Sequence, residues 1–320
     1  MLFTLLIFPS FLFLLILYFI VRPRPVKVPI KHRHVFITGG SSGIGLAIAK
    51  RAAIEGARVS IMARNIEKLE EAKKSISLAS GALDVSIFAA DARDYDAVQG
   101  AVNDAGPIDV LVVNHAVYEH DVLERQGLDV IKNIIEVNLI GSFNVIKAAL
   151  RLMKKDRKDR GPASIALMVS QAAQVGIYGY TAYSASNFGL RGLAEALQQE
   201  VISDNIHVSL IFPPDTETPG YKEAKRTMPE LTKTIVGSPV PMKSEEVALK
   251  TLQGIKSGNF IVPCNFLGHV LAIATTGLSP QRSFMMAAME VIFAGICRLI
   301  GLAYLWATYR SIEMWHNKQK

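Results

Sequence analysis

The 320-residue chain is half hydrophobic and 20% charged, and it carries a net charge of +7 with a mean hydropathy of +0.27. Those values exclude a disordered chain, which needs low hydrophobicity and high charge. The two cysteines, Cys264 and Cys297, exclude a disulfide scaffold and read as buried free thiols.

Leu2 to Val21 contains no charged residue. About 20 apolar residues are enough for a helix to cross the hydrocarbon of a bilayer. A secretory signal would add a basic n-region and a small-residue cleavage site. Neither is evident, so an uncleaved anchor is expected over residues 1–30, including the basic flank Arg22, Arg24 and Lys27. Lys31 and Arg33 extend that flank, and such a flank keeps to the cytosolic side.

From Lys31 onward short apolar runs alternate with helical patterns. Strands are expected at Val35–Ile37, Val59–Ala63, Val85–Ala90, Val110–Val113, Ser164–Val169 and Val208–Phe212. Helices are expected at Ile44–Glu55, Ile66–Leu78 and Ala182–Val201. That alternation predicts an α/β fold: a Rossmann-type, doubly wound parallel sheet with helices on both faces. Ligands of such sheets bind at the carboxyl ends of the strands. The boundaries predicted for this domain are 31–259.

The motifs follow the strands. Thr38-Gly39-Gly40-Ser41-Ser42-Gly43-Ile44-Gly45 joins the first strand to the first helix of the domain. A glycine turn there lets backbone approach a pyrophosphate, and the helix N-terminus offers it unpaired N–H groups. After the second strand stand Arg64 and, a turn later, Lys68, with no carboxylate to take a ribose 2′-hydroxyl. Two cations favour the 2′-phosphate of NADP, although Lys68 also reads as a solvated helix residue. Asp91 follows the third strand, where it either contacts the adenine edge or caps the next helix. Asn114 follows the fourth strand and is placed with the cofactor-binding residues. Asn138 lies on the next helix, Ser170 ends the fifth strand, and Tyr183 opens a long helix. A tyrosine can give a proton to a carbonyl while a serine holds the oxygen.

A second basic cluster, Arg151, Lys154, Lys155, Arg157, Lys158 and Arg160, reads either as membrane-facing or as a solvated helix end. With an anchor in the same chain, an anionic membrane surface is the expected partner and nucleic acid is not. The seven histidines show no metal-site spacing, so no metal is expected.

Residues 260–320 form a predicted membrane-associated region. Phe260–Leu278 is broken by Pro263, Asn265 and His269, and Phe284–Trp306 carries Glu290 and Arg298. A re-entrant hairpin turning at Ser279–Arg282, two poor spans and interfacial helices remain open. A hairpin would return Lys318 and Lys320 to the cytosol.

These motifs resemble the short-chain dehydrogenase/reductase family over nearly all of the central domain. That family shows T-G-x-x-x-G-x-G, an N-N-A-G segment, a helix asparagine, a serine and Y-x-x-x-K. Within it the chain is most similar to the reductases of 3-ketodihydrosphingosine. The closer likeness rests on Arg64-Asn65, on Ser170 to Ala173, on Tyr180 to Ser186, on Gly192 to Leu197 and on Pro213 to Gly220. The resemblance implies NADPH held by Gly39, Ser41, Ser42, Gly43, Ile44, Gly45, Arg64, Lys68, Asp91, Asn114 and Tyr183. It implies catalysis by Ser170 and Tyr183 with Asn138 and Asn187. The implied partners are a long-chain sphingoid ketone, the lipid bilayer and a second copy of the chain. The implied location is the endoplasmic reticulum membrane, with the reductase domain in the cytosol.

Two departures bear on activity. Asn187 stands where the family has the lysine that lowers the tyrosine pKa, and Val117 replaces the final glycine of the asparagine segment. A β-branched residue is strained there if the backbone needs φ > 0. Arg191, one turn beyond Asn187, either compensates for the missing charge or is a solvated or phosphate-facing residue. A weak or inactive cofactor-binding paralogue and a reductase of another lipid ketone are the alternatives.

Overall fold

The computed structural model describes residues 2–21, 26–81, 85–237 and 240–318. Arg22, Arg24 and Lys320 lie outside the described residues. Helix α1 (Leu2–Val21) is charge-free. Then come β1 (His34–Thr38), α2 (Gly43–Ile54), β2 (Arg58–Ala63), α3 (Ile66–Ser80), β3 (Val85–Ala89), α4 (Tyr95–Ala105) and β4 (Val110–Val113). Asn65 and Asp94 start α3 and α4 by accepting the N–H of Lys68 and Ala97. Asp91 therefore does not cap α4; it holds Arg93 at 2.7 Å instead.

Helix α5 (Leu128–Ile135) passes through a π-turn, Glu136–Ile140, into α6 (Gly141–Lys154). The short α7 (Arg157–Arg160) precedes β5 (Ala163–Met168), and the long α8 (Thr181–Val201) precedes β6 (Ile206–Phe212). The remaining elements are β7 (Thr216–Glu217), α9 (Pro219–Thr227), α10 (Glu230–Val236), β8 (Met242–Lys243), α11 (Ser244–Ser257), β9 (Ile261–Pro263), α12 (Phe266–Ala274) and α13 (Phe284–Asn317).

The main sheet is parallel throughout, in the order β3-β2-β1-β4-β5-β6-β9. Its central strands are buried on both faces, so they read as unbroken apolar runs rather than alternations. One core fills the face under α4, α6 and α8, with Val98, Val102, Val145, Ala149, Leu197 and Val201. The other fills the face under α2, α3 and α11, with Ile48, Ala52, Leu69, Ile76, Val247 and Leu252. The strand order reverses between β1 and β4, which opens a crevice at their carboxyl ends.

The sheet runs past the boundary expected at residue 259. Ile261, Val262 and Pro263 pair with Leu210, Ile211 and Phe212, and Cys264 is buried in the core. Phe260–Leu278 is therefore not a membrane segment as a whole. Its first part closes the sheet edge, and α12 has only nine residues, about 14 Å of rise against about 30 Å of hydrocarbon. At the other boundary, Val28 and Ile30 are also core residues.

Helix α13 is long and apolar enough to cross a membrane. Its 34 residues rise about 51 Å. Glu290 is buried and accepts a hydrogen bond from Gln281 at 2.7 Å, so it does not face lipid. Tyr18 of α1 meets Phe284 edge-to-face at 5.7 Å.

The second basic cluster divides: Arg151, Lys154, Lys155 and Lys158 are exposed, while Arg157 and Arg160 turn inward. Arg157 is 4% exposed and Arg160 is partly buried, and both reach Asp109, at 3.0 and 2.7 Å. Arg33 approaches the same carboxylate at 3.6 Å, and the His34 N–H donates to it at 3.1 Å. Burial alone would raise the Asp109 pKa, but the His34 amide and the arginines outweigh it and hold the carboxyl below its usual range. A carboxyl depressed in the folded state contributes stability above its unfolded pKa of about 3.9, and loses it as pH falls through the folded value. Asp109→Asn is expected to cost about 3–5 kcal/mol at neutral pH, because it leaves buried guanidinium uncompensated. Urea denaturation at pH 7 measures this; a cost below 1 kcal/mol would show that the cluster contributes little.

Candidate active site

A cleft of about 440 Å³ occupies the crevice. The turn after β1 forms its floor. Gly39 has φ +62°, and a Cβ there would lie 3.0 Å from both Asn114 Nδ2 and the His115 Cα. A Cβ on Gly45 would lie 2.3 Å from the Gly39 carbonyl oxygen, so only glycine lets α2 start this close to the strand ends. Ser42 begins α2 without a side-chain cap, leaving first-turn N–H groups open toward the cleft. A pyrophosphate matches that cradle in size and charge.

The Thr38 hydroxyl ties the turn to β4. It accepts the N–H of Asn114 at 2.9 Å and of His115 at 3.3 Å, and lies 2.8 Å from His115 Nδ1. His115 Nε2 faces the Val137 carbonyl at 3.1 Å and donates to it, which leaves Nδ1 to accept from Thr38. Burial lowers the His115 pKa to about 4, so the ring is neutral. Asn114 donates its amide to the Gly39 carbonyl at 3.2 Å, holding the floor rather than pointing freely into the cleft.

One end of the cleft is cationic. Arg64 and Lys68 are exposed and line it, with Asp91 and Ala92 opposite. Among the described residues neither cation has an ion-pair partner within 4 Å.

The other end is aromatic. Tyr183 sits on the first turn of α8, within hydrogen-bonding reach of the Ser170 and Asn187 side chains. Burial raises the Tyr183 pKa, the Ser170 and Asn187 side chains lower it, and the charge of Asp215 raises it. Asn187 is 3% exposed and its amide donates to the Tyr183 carbonyl at 2.9 Å. The cations lining the cleft are Arg64 and Lys68, both at the far end. Arg191 does not supply the missing charge. It turns away and binds the carbonyls of Thr275 and Thr276, the Ser279 hydroxyl and the Glu195 carboxylate. It is neither solvated nor phosphate-facing, and it clamps α8 to the connection between α12 and α13.

Asn138 lies on the π-turn and not on regular helix. Its side chain accepts the Val117 N–H at 2.8 Å and donates to the Val117 carbonyl at 2.9 Å and to Ser186 at 3.2 Å. This pairing fixes the loop beside Tyr183. Val117 is absent from the positive-φ residues, so the anticipated strain does not arise.

The cleft also contains side chains that the sequence did not single out. Tyr118 lies 5.7 Å from Tyr183 between ring centroids, His120 stacks on Tyr180 at 3.9 Å, and Tyr180 stands 6.0 Å edge-on to Tyr183. Burial lowers His120 to about 4 and raises Tyr118 to about 12. Asp215 and Tyr221, joined at 3.2 Å, close the wall. Tyr180 and Asp215 stand in stretches that carry the family likeness, whereas Tyr118, His120 and Tyr221 had no signal in the sequence.

Comparison with known proteins matches this arrangement. The sequence profile of the short chain dehydrogenase family matches residues 33–229. A 3-dehydrosphinganine reductase of Arabidopsis thaliana is 62% identical over 296 residues, 92% of this chain and 90% of that protein. A 3-ketodihydrosphingosine reductase of Bos taurus is 36% identical over 303 residues, again 92% and 90%. Among solved structures, an actinorhodin polyketide ketoreductase with NADPH superposes with TM-score 0.65 at 26% identity, covering 72% of this chain and 95% of that one. Levodione reductase superposes with TM-score 0.67 at 24% identity, covering 76% and 98%, a likeness of fold. Glycine turn, strand order, serine and helix tyrosine thus coincide with a family profile covering well over half the length: this chain belongs to the short chain dehydrogenase family.

Proposed function

We propose that the protein is an NADPH-dependent reductase that converts 3-ketodihydrosphingosine to dihydrosphingosine at a membrane. The observation that carries this reading is one continuous cleft with unpaired cations at one end and a half-buried tyrosine–serine pair at the other. The names of the relatives support the substrate, and the apolar α13 suits a ketone that partitions into lipid.

A bound reduced nicotinamide supplies hydride to the ketone carbon. The turn from Gly39 to Gly45, with Ser41, Ser42, Gly43 and Ile44, holds the pyrophosphate. Arg64 and Lys68 take the 2′-phosphate, Asp91 the adenine edge, and Tyr183 with Asn187 the ribose beside the reacting end. The Ser170 hydroxyl donates to the carbonyl oxygen, and Tyr183 Oη delivers the proton that completes the alcohol. A high tyrosine pKa keeps that proton in place at neutral pH. Asn138 positions the Val117 loop and does not touch the reacting atoms. Helices α1 and α13 hold the domain on the cytosolic face of the endoplasmic reticulum membrane.

Arg64→Ala is expected to lower kcat/KM with NADPH about 10- to 100-fold, the worth of one charged hydrogen bond, and to leave NADH turnover nearly unchanged. Initial rates with both cofactors decide it; equal losses would remove Arg64 from the 2′-phosphate site. The substrate reading is tested by offering steroid and retinoid ketones beside the sphingoid ketone. Turnover of those alone would move the protein to another lipid substrate. A second reading rests on Asn187: with no cation at the tyrosine, the chain binds cofactor and reduces its ketone slowly.

A further inference from the structure

Asp215 is the one carboxylate at the aromatic end of the cleft. It follows β6 in the segment Pro213–Thr216, and its carbonyl is fixed by the Met242 N–H at 2.8 Å. Its carboxylate accepts from Tyr221 Oη at 3.2 Å. Among the described residues no lysine, arginine or histidine forms an ion pair with it. Lys225 lies over the Tyr221 ring at 5.8 Å and acts on Asp215 only through space. Burial raises the Asp215 pKa, against the pull of Tyr221 and Lys225. A half-buried carboxylate served by one neutral hydrogen bond is costly unless a cation joins it.

Nor does Asp215 help the proton donor. Its charge raises the pKa of Tyr183, and also those of Tyr118, Tyr180 and Tyr221. A neutral lipid ketone would leave that penalty in place. A 2-amino-3-ketone carries an ammonium on the carbon next to the carbonyl. With its oxygen between Ser170 and Tyr183, that ammonium lies in the same cleft whose lining includes Asp215.

We propose that Asp215 is the specificity-determining residue, receiving the ammonium group of an α-amino ketone. This deepens the reductase reading and rests on it. The pair gives the carboxylate a cationic partner, and it disfavours ketones without the amine, because those leave the half-buried charge without a counter-ion.

The test compares 3-ketodihydrosphingosine with 1-hydroxyoctadecan-3-one, the same chain without the amine, on the full-length detergent-purified protein. The readout is the ratio of kcat/KM values for the two ketones. In Asp215→Asn that ratio is expected to fall about 10- to 100-fold, and dihydrosphingosine should weaken as a competitive inhibitor by a similar factor. NADPH binding, followed by fluorescence, shows that the variant is folded. An unchanged ratio with folded protein overturns the proposal. An unmodified protein that reduces neither ketone overturns the reductase reading itself, a separate result. A conserving Asp215→Glu that restores the ratio above the asparagine variant supports the charge pairing.

Discussion

Tyr183→Phe is expected to lower the rate of ketone reduction about 10²- to 10⁴-fold, the usual worth of a positioned proton donor. The substitution removes only the hydroxyl. The ring keeps its contacts with Tyr118 at 5.7 Å and Tyr180 at 6.0 Å, so the aromatic wall survives. Ser170 and Asn187 lose a partner, which costs about 1 kcal/mol of stability and does not unfold the domain. Cofactor affinity should fall by no more than the one hydrogen bond that Tyr183 gives the ribose, because the pyrophosphate cradle and Arg64 remain intact. Single-turnover rates at saturating NADPH separate the proton-transfer loss from binding. A loss under tenfold would assign the proton to another group.

Asn187→Lys is expected to raise the rate. A unit charge about 4 Å from the tyrosine oxygen is worth about 4 kcal/mol at an effective dielectric near 20. That sets a ceiling of about 10³-fold on the gain. Asn187 is almost fully buried but lines the cleft, so a lysine head has an open side to reach toward. A cation stabilises the tyrosinate, so the variant's tyrosine titrates at lower pH than that of the unmodified protein. Burial raises the tyrosine pKa in the unmodified protein, and its reduction rate should stay free of a tyrosine limb up to about pH 10. The variant should show that limb at a lower pH. Identical rates and pH profiles would mean that Asn187 already supplies all that the lysine would.

The parallel sheet and its glycine turn were legible because both are local patterns: apolar β-branched runs, stops, and glycines at fixed spacing. The Tyr183–Asn187 relation was legible for the same reason, since positions i and i+4 share a helix face. What failed to read was long-range or compositionally ambiguous. The strand Ile261–Pro263 lies inside an apolar run, and composition alone does not separate a buried edge strand from a membrane segment. The arginines at 33, 157 and 160 looked like surface charge because Asp109, which gathers them, is distant in sequence. Arg191 looked free because all its partners except Glu195 lie more than 80 residues on. The π-turn under Asn138 carried no residue signature, and the wall of Tyr118, His120 and Tyr180 is assembled from separate loops.

The decisive measurement is dihydrosphingosine formed by the full-length protein from 3-ketodihydrosphingosine and NADPH deuterated at the nicotinamide, followed by mass spectrometry. The reductase reading predicts product carrying one deuterium at the former ketone carbon, with formation abolished in Tyr183→Phe. NADPH binding with no deuterated product, in the unmodified protein and in Asn187→Lys alike, would contradict it.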